Sequence, residues 1–312
     1  MKALITGSRG FVGGYLRREL EQHGYAVIGI DIAPDDQTIA ADICSPQQMR
    51  EVIRDLQPDV SFHLAGQANV ALSWKIPQRT FELNVLGMIN LLEAVRLEKP
   101  DAKVIGIGSS DQYGNLGEAG RNVTEEMQMR PQTPYAISKK TQEELALIYC
   151  RAYGMRICMT RSFNHAGAGQ KTGFLIPDFA SGIARVESGR AECLSVGNLT
   201  SKRDFTHVRD VVRAYRLLAE TGKSGEVYNI GSQIIYSAQE ILDKLCALAK
   251  CEIPVYPDPA KIRPSDTPVV CCNHSKLKRD TGWMPEISMD DILAEVLEEW
   301  RKKTQDDAKE QQ

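Results

Sequence analysis

The chain has 312 residues, 42% of them hydrophobic and 25% charged, which excludes a disordered or fibrous protein and leaves room for one large or two modest domains. Its formal net charge is −3, so the basic excess of a nucleic-acid binder is absent. No run approaches the ~18 apolar residues of a membrane span, and MKALITGSRGFVGGYL lacks the apolar core and cleavage site of a signal peptide, so the expected location is the cytoplasm.

Through the first half, short apolar runs alternate with helical patterns. Lys2–Thr6 reads as a strand, residues 11–23 as a helix and 25–31 as a strand. Pro46–Leu56 reads as a helix, 59–65 as a strand, 77–97 as one long helix and 103–108 as a strand. Strands without a polar face, alternating with helices, predict a parallel sheet covered on both sides. Pro134 suits a first helical turn and Gly154 a stop, so a helix is expected over Pro134–Tyr153, with 156–161 as the next strand. The alternation weakens from Asn164 to Asp204, a stretch rich in glycine and polar residues. Val208–Thr221 and 237–250 read as helices around a short strand at 226–230. A last helix is expected at 290–301, followed by a frayed tail, TQDDAKEQQ.

The eight cysteines include no C-x-x-C pair, and Cys271 and Cys272 are adjacent, so they read as small buried hydrophobes rather than as disulfides or zinc ligands. No metal site is expected.

Gly7, Gly10 and Gly13 punctuate the turn Leu4-Ile5-Thr6-Gly7-Ser8-Arg9-Gly10-Phe11-Val12-Gly13 between the first strand and the first helix. Glycines allow a tight turn and close backbone approach, and a helix N-terminus offers free N–H groups to a pyrophosphate, so the loop predicts a dinucleotide site. Asp31, closing the second strand, is placed to accept from ribose hydroxyls and to repel a 2′-phosphate, which favours NAD(H). Arg9 is the residue that can reach such a phosphate, so NADP(H) is a possible alternative.

Downstream, Ile107-Gly108-Ser109-Ser110-Asp111-Gln112-Tyr113-Gly114 ends a strand in polar residues, which at the carboxyl end of a parallel sheet face the ligand crevice. Tyr135-Ala136-Ile137-Ser138-Lys139 then puts a tyrosine and a lysine at i and i+4 on one helix face. A phenol of pKa ~10 is a poor base at neutral pH, so an adjacent cation would be needed to favour its ionised form.

This order of glycine loop, serine-ended strand and Tyr–Lys helix resembles the extended short-chain dehydrogenases/reductases that handle nucleotide sugars, over nearly the whole chain. The resemblance implies an α/β fold: a Rossmann-type doubly wound parallel sheet with a smaller C-terminal α/β substrate domain. Residues 1–163, with a returning segment near 205–231, form the expected dinucleotide-binding domain, and 164–204 with 232–312 the nucleotide-sugar-binding domain. It implies Tyr135 as acid/base, Lys139 as the cation that lowers the tyrosine's pKa and binds the nicotinamide ribose, and Ser109 as the group orienting the substrate oxygen. Gly7, Arg9, Gly10, Phe11, Val12, Gly13 and Asp31 then hold cofactor together with Asp42 and Ile43 beside the adenine and Leu64, Ala65 and Gly66 beneath it. Asn84 fits a structural bridge. A homodimer through the two long helices is also implied.

In the second half, Arg161-Ser162-Phe163-Asn164-His165-Ala166-Gly167-Ala168-Gly169-Gln170 resembles that family's R-x-F-N-x-x-G-P-G segment, with Ala168 where proline is usual. Asn164 is implied at the sugar diphosphate. Arg203, in Arg203-Asp204-Phe205, and Arg263, in Arg263-Pro264-Ser265-Asp266, are implied as arginines converging on it, since guanidinium forks match phosphate oxygens. Gln67, Ser110 and Val196 complete the expected substrate set. His165 and His207 are each alone and read as packing or hydrogen-bonding residues.

Within the family, the segments look most like the GDP-4-keto-6-deoxy-D-mannose reductases, so a GDP-linked sugar is the expected substrate. Those enzymes usually take NADPH, whereas Asp31 points to NADH. A 4,6-dehydratase carries a glutamate where Asp111 stands and a threonine where Ser109 stands, so Asp111 is a fourth candidate catalytic residue. A GDP-mannose 4,6-dehydratase, a nucleotide-sugar 4-epimerase and a non-catalytic cofactor-binding scaffold remain as alternatives.

Overall fold

The computed structural model describes residues 1–117, 122–261 and 269–309. Strand β1 (Lys2–Thr6) is buried from Ala3 onward and turns through the glycines into α1 (Phe11–Gln22). Then come β2 (Ala26–Asp31), β3 (Thr38–Ala40), α2 (Pro46–Leu56) and β4 (Val60–His63). Next are α3 (Val70–Lys75), α4 (Pro77–Phe81), a π-helical turn (Glu82–Leu86) and α5 (Gly87–Glu98). After β5 (Lys103–Ser109) and a 3-10 turn (Ser110–Tyr113), α6 (Pro134–Tyr153) leads into β6 (Arg156–Ser162). The chain continues through β7 (Asn164–Ala166), α7 (Leu175–Glu187), β8 (Leu194–Val196), β9 (Lys202–His207), α8 (Val208–Thr221) and β10 (Val227–Ile230). It ends in β11 (Ile235–Ser237), α9 (Ala238–Ala247), β12 (Val255–Pro257), β13 (Val269–Val270), α10 (Ser275–Thr281) and α11 (Met289–Lys309).

Seven strands form one sheet in the order β10-β6-β5-β4-β1-β2-β3, all parallel. The order reverses between β1 and β4, where a parallel sheet opens a crevice at its carboxyl edge. One face packs on α1 and α8 through Leu16, Leu20, Val211, Tyr215 and Leu218. The other packs on α2, α5 and α6 through Met49, Ile53, Leu91, Val95 and Ala146. A third core, with Ile176, Phe179, Ile241, Leu245, Leu293 and Val296, joins α7, α9 and α11 beside the small sheet β11-β9-β13. Glu295 of α11 reaches back to the start of the chain: it accepts from the Tyr15 hydroxyl (3.2 Å), the Ala168 amide (3.3 Å) and Arg209 (2.6 Å).

Local signals account for the helices whose ends match expectation. Ser45 caps α2 by accepting from the Gln48 amide, with Pro46 following. Thr133 caps α6 through the Ala136 amide, and Gly154, at φ +66°, ends it in the left-handed conformation.

Several expectations are corrected. The helix expected over 77–97 is broken into α4, a π-helical turn and α5, because Asn84 in that turn is drawn inward to distant partners. The strand expected to reach residue 65 stops at His63, and α3, capped by Asn69, follows it. The polar stretch after Asn164 contains α7, whose Ile176, Phe179, Ala180, Ile183 and Ala184 have helical spacing and are buried. The tail is helical to Lys309. All eight cysteines are free, but Cys251 is exposed and four others are only partly covered. No helix among the described residues is long and apolar enough to cross a membrane, and no group of three His, Cys, Asp or Glu could hold a metal ion.

Candidate active site

A cleft of about 1000 Å³ runs along the carboxyl edge of the large sheet, from the glycine loop past Ser109, Tyr135 and Lys139 to Asn164 and Arg203. At one end the loop is shaped for close approach. Gly7 has φ +71°, and a Cβ on it would stand 2.8 Å from the Ala65 backbone. A Cβ on Gly13 would stand 2.5 Å from the Ser8 carbonyl oxygen. Gly10 precedes α1 and supplies no capping side chain, so the first N–H groups of the helix face the cleft edge unclaimed by a side chain. An uncapped helix start behind three crowded glycines fits a dinucleotide pyrophosphate. Arg9, Phe11 and Val12 line the same end.

Asp31 closes β2 beside this loop, accepting from the Arg9 amide (3.2 Å) and the Ile32 amide (2.8 Å). The Arg9 guanidinium turns to the Ala33 carbonyl (3.2 Å) and to Asp35 (3.3 Å). Asp42 accepts from the Cys44 amide, and the Ile43 carbonyl accepts from Asn90. Asp31, Asp42, Ile43 and Ala65 are not among the described residues lining the cleft, whereas Leu64 and Gly66 are.

Ser109, Tyr135 and Lys139 meet midway along the cleft, each at most 9% exposed. The Ser109 hydroxyl oxygen accepts from the Asp111 amide (3.2 Å), and its hydroxyl is also hydrogen-bonded to the Tyr135 phenol. Lys139 Nζ donates to the Ile107 carbonyl (2.8 Å) and to Gln142 Oε1 (3.1 Å). Burial depresses its pKa to about 8. Burial raises the Tyr135 pKa well above its ordinary value, and the Asp111 charge adds to the rise; only the Ser109 hydrogen bond opposes them. The Lys139 ammonium is held in place by that carbonyl and amide oxygen. Asp111 is the one carboxylate among the described residues that line the cleft.

Asn84 is the expected bridge. It accepts from the Gln67 amide (2.8 Å) and donates to the Gln67 carbonyl (3.0 Å) and Ser138 Oγ (2.9 Å), tying the loop after β4 to α6. Gln67, expected at the substrate, lines the cleft, and its side chain is bonded to the Asn69 backbone and to Thr80. Ser110, Asn164 and Arg203 line the cleft. Val196 does not: it is 1% exposed and packs in the third core. Arg263 lies outside the described residues. His165 lines the cleft, donates from Nδ1 to the Phe163 carbonyl (3.0 Å) and stacks on Phe11, while His207 Nδ1 accepts from the Arg209 amide.

The cleft also has walls that no motif in the sequence marks. Trp74 of α3 and Phe174 ahead of α7 line it, as does Gln170, whose buried Oε1 has no protein partner. An asparagine before an apolar run, at Asn69, and the helical spacing after Phe174 are the local signals for these segments.

Comparison with known proteins places this geometry. The profile of the family described as GDP-mannose 4,6 dehydratase matches residues 4–296. The chain is 34% identical to GDP-6-deoxy-D-mannose reductase of Pseudomonas aeruginosa, over 98% of this chain and 99% of that protein. Among solved structures it is similar to the Pseudomonas aeruginosa protein RMD complexed with NADPH (33% identity, TM-score 0.87, 97% of this chain and 99% of that one). It is also similar to UDP-glucose 4-epimerase of Thermus thermophilus complexed with NAD (26% identity, TM-score 0.87, 96% and 99%).

Proposed function

Because the chain belongs to the GDP-mannose 4,6 dehydratase family, we propose that it is an NAD(P)H-dependent reductase of a GDP-linked 4-keto-6-deoxy sugar, acting in the cytoplasm. The observation that carries this reading is the Tyr135 phenol, buried beside Ser109, where burial raises its pKa. A ketone that receives hydride becomes an alkoxide and needs a proton donor at once, which is the state in which this tyrosine is held.

The hydride is the chemistry that a bound reduced nicotinamide supplies. The residues of the chain do the rest. Ser109 donates a hydrogen bond to the ketone oxygen and orients it. Tyr135 passes its phenolic proton to that oxygen. Lys139, cationic below pH 8, stabilises the phenolate left behind. Asn164 and Arg203, at the far end of the cleft, hold the sugar diphosphate, with Arg203 as the anion-binding side chain.

The test is cofactor stoichiometry. Purified enzyme given GDP-4-keto-6-deoxy-D-mannose should oxidise one reduced cofactor per sugar consumed, read as loss of reduced-nicotinamide absorbance, and GDP-mannose alone should be inert. Run with both cofactors, the assay should favour NADH, because the Asp31 carboxylate beside the glycine loop would repel a 2′-phosphate. Conversion of GDP-mannose to a 4-keto-6-deoxy product without net cofactor change would establish the dehydratase reading instead, with Asp111 as its extra acid/base.

The pH profile follows from Lys139. Its pKa is depressed to about 8, so it is cationic below that pH and neutral above it. The raised pKa of Tyr135 keeps the phenol protonated over the same range. Therefore kcat/KM for ketone reduction should fall as pH rises through about 8. A profile flat from pH 7 to 10 would rule out a role for the Lys139 charge.

A further inference from the structure

Behind the reacting side chains lies a buried polar chain. At the end of β5 the Ser109 amide donates to Gln112 Oε1 (2.8 Å), and Gln112 Nε2 donates to Glu143 Oε2 (2.8 Å). Gln112 is 0% and Glu143 1% exposed. Arg161 forks the same carboxylate, Nε to Oε2 (2.9 Å) and Nη2 to Oε1 (2.7 Å). Its remaining nitrogen donates to the Tyr113 hydroxyl (2.8 Å), which donates to Asn229 (2.7 Å).

Each arm of this chain ends on an element that carries a site residue. Gln112 belongs to the turn after Ser109, Glu143 to the helix that carries Tyr135 and Lys139, and Arg161 to the strand that runs into Asn164. The strand end is shaped around the glutamine as well. A Cβ on Gly108 would stand 2.6 Å from Gln112 Oε1. A buried ion pair is weak evidence for stability, since well-packed apolar groups often do as well. What a fully satisfied buried network supplies is a unique arrangement. At a site where the acid and the orienting hydroxyl must bear on one oxygen, small misplacements are costly in rate.

We propose that Gln112 is a positioning residue for Ser109, acting through the buried Glu143–Arg161 pair to hold the serine hydroxyl in register with Tyr135. It touches neither substrate nor cofactor. The proposal rests on the reading of Ser109 and Tyr135 as the reacting pair, but not on which sugar they act upon.

The experiment is a double-mutant cycle. Gln112→Met conserves volume and removes the hydrogen bonds to the Ser109 amide and Glu143, along with a long contact to Met129 Sδ (3.4 Å). It should lower kcat by about 10- to 100-fold with KM nearly unchanged, in line with a small misplacement of a reacting group. In a Ser109→Ala background the same change should cost less than about twofold, because the hydroxyl that Gln112 positions is gone. An equal factor in both backgrounds, or a rise in KM with kcat unchanged, overturns the proposal.

Gln112→Glu supplies a second, independent readout. It keeps the acceptor for the Ser109 amide but sets a carboxylate against Glu143, beside Arg161. A proton shared between the two carboxyls restores the lost donor, so its kcat relative to wild type should recover as pH falls. No recovery overturns the proposal. A wild-type enzyme that ignores the 4-keto sugar but consumes GDP-mannose overturns the reductase reading alone, and the cycle is then measured on GDP-mannose.

Discussion

Replacing Tyr135 by phenylalanine should abolish turnover and leave cofactor binding almost intact. The ring stays in its buried place and keeps its packing; only the hydroxyl that meets Ser109 is lost. Removing a positioned proton donor typically costs ~10²–10⁴-fold in rate, and here no other group stands ready. Lys139 is directed at the Ile107 carbonyl and Gln142, and Ser109 is a weak acid. Steady-state kcat and a direct measurement of cofactor Kd separate the two effects. Retention of a tenth of the wild-type kcat would disprove the assignment of Tyr135 as the proton donor.

Two adjacent glycines should respond in opposite directions to the same change. Gly13→Ala puts a methyl group 2.5 Å from the Ser8 carbonyl oxygen and 2.7 Å from that of Gly7, both backbone atoms of the loop. The loop must move, at a cost of the order of 1–3 kcal/mol for overpacking, and the N–H groups it aims at a pyrophosphate move with it. Cofactor Kd should weaken by roughly 5- to 140-fold, given that 1.4 kcal/mol corresponds to tenfold in binding. A Cβ on Gly14, in contrast, meets nothing within 4 Å. It lies inside α1, so Gly14→Ala should raise stability by up to about 1 kcal/mol, the helix-propensity difference, and leave Kd alone. Thermal melting and cofactor titration of the pair decide the matter. Equal behaviour of the two variants would show that crowding in the loop does not govern cofactor binding.

What was legible in the sequence was what short stretches of chain determine. Strands buried on both faces read as apolar runs, and α6 is bounded by Pro134 in its first turn and Gly154 at its end, both local signals. The reacting set was legible through its order along the chain, because Ser109, Tyr135 and Lys139 sit on successive elements of one sheet edge. The illegible parts depend on partners far away. Nothing near Asn84 announces the π-helical turn; its side chain answers to Gln67 and to Ser138, 54 residues on. The high pKa of Tyr135 is a consequence of burial, a property of the folded chain that the i, i+4 spacing with Lys139 does not carry. Likewise Gln112, Glu143 and Arg161 look unrelated in sequence and meet only when β5, α6 and β6 are side by side. Val196 sits in an apolar core because its strand pairs with β12, a register no local pattern records.

The tie between Tyr15 and Glu295 spans 280 residues of chain. Ribosomes add about 5–20 residues per second, so roughly 14–56 s separate the appearance of these two side chains in a growing polypeptide. For that interval the glycine loop and its helix exist without the carboxylate that joins them to Ala168 and Arg209. The nascent protein therefore passes through a period in which the sheet can form while the wall of the cleft at Ala168 lacks its anchor, and the binding site is completed late in synthesis, when the helix carrying Glu295 has left the exit tunnel.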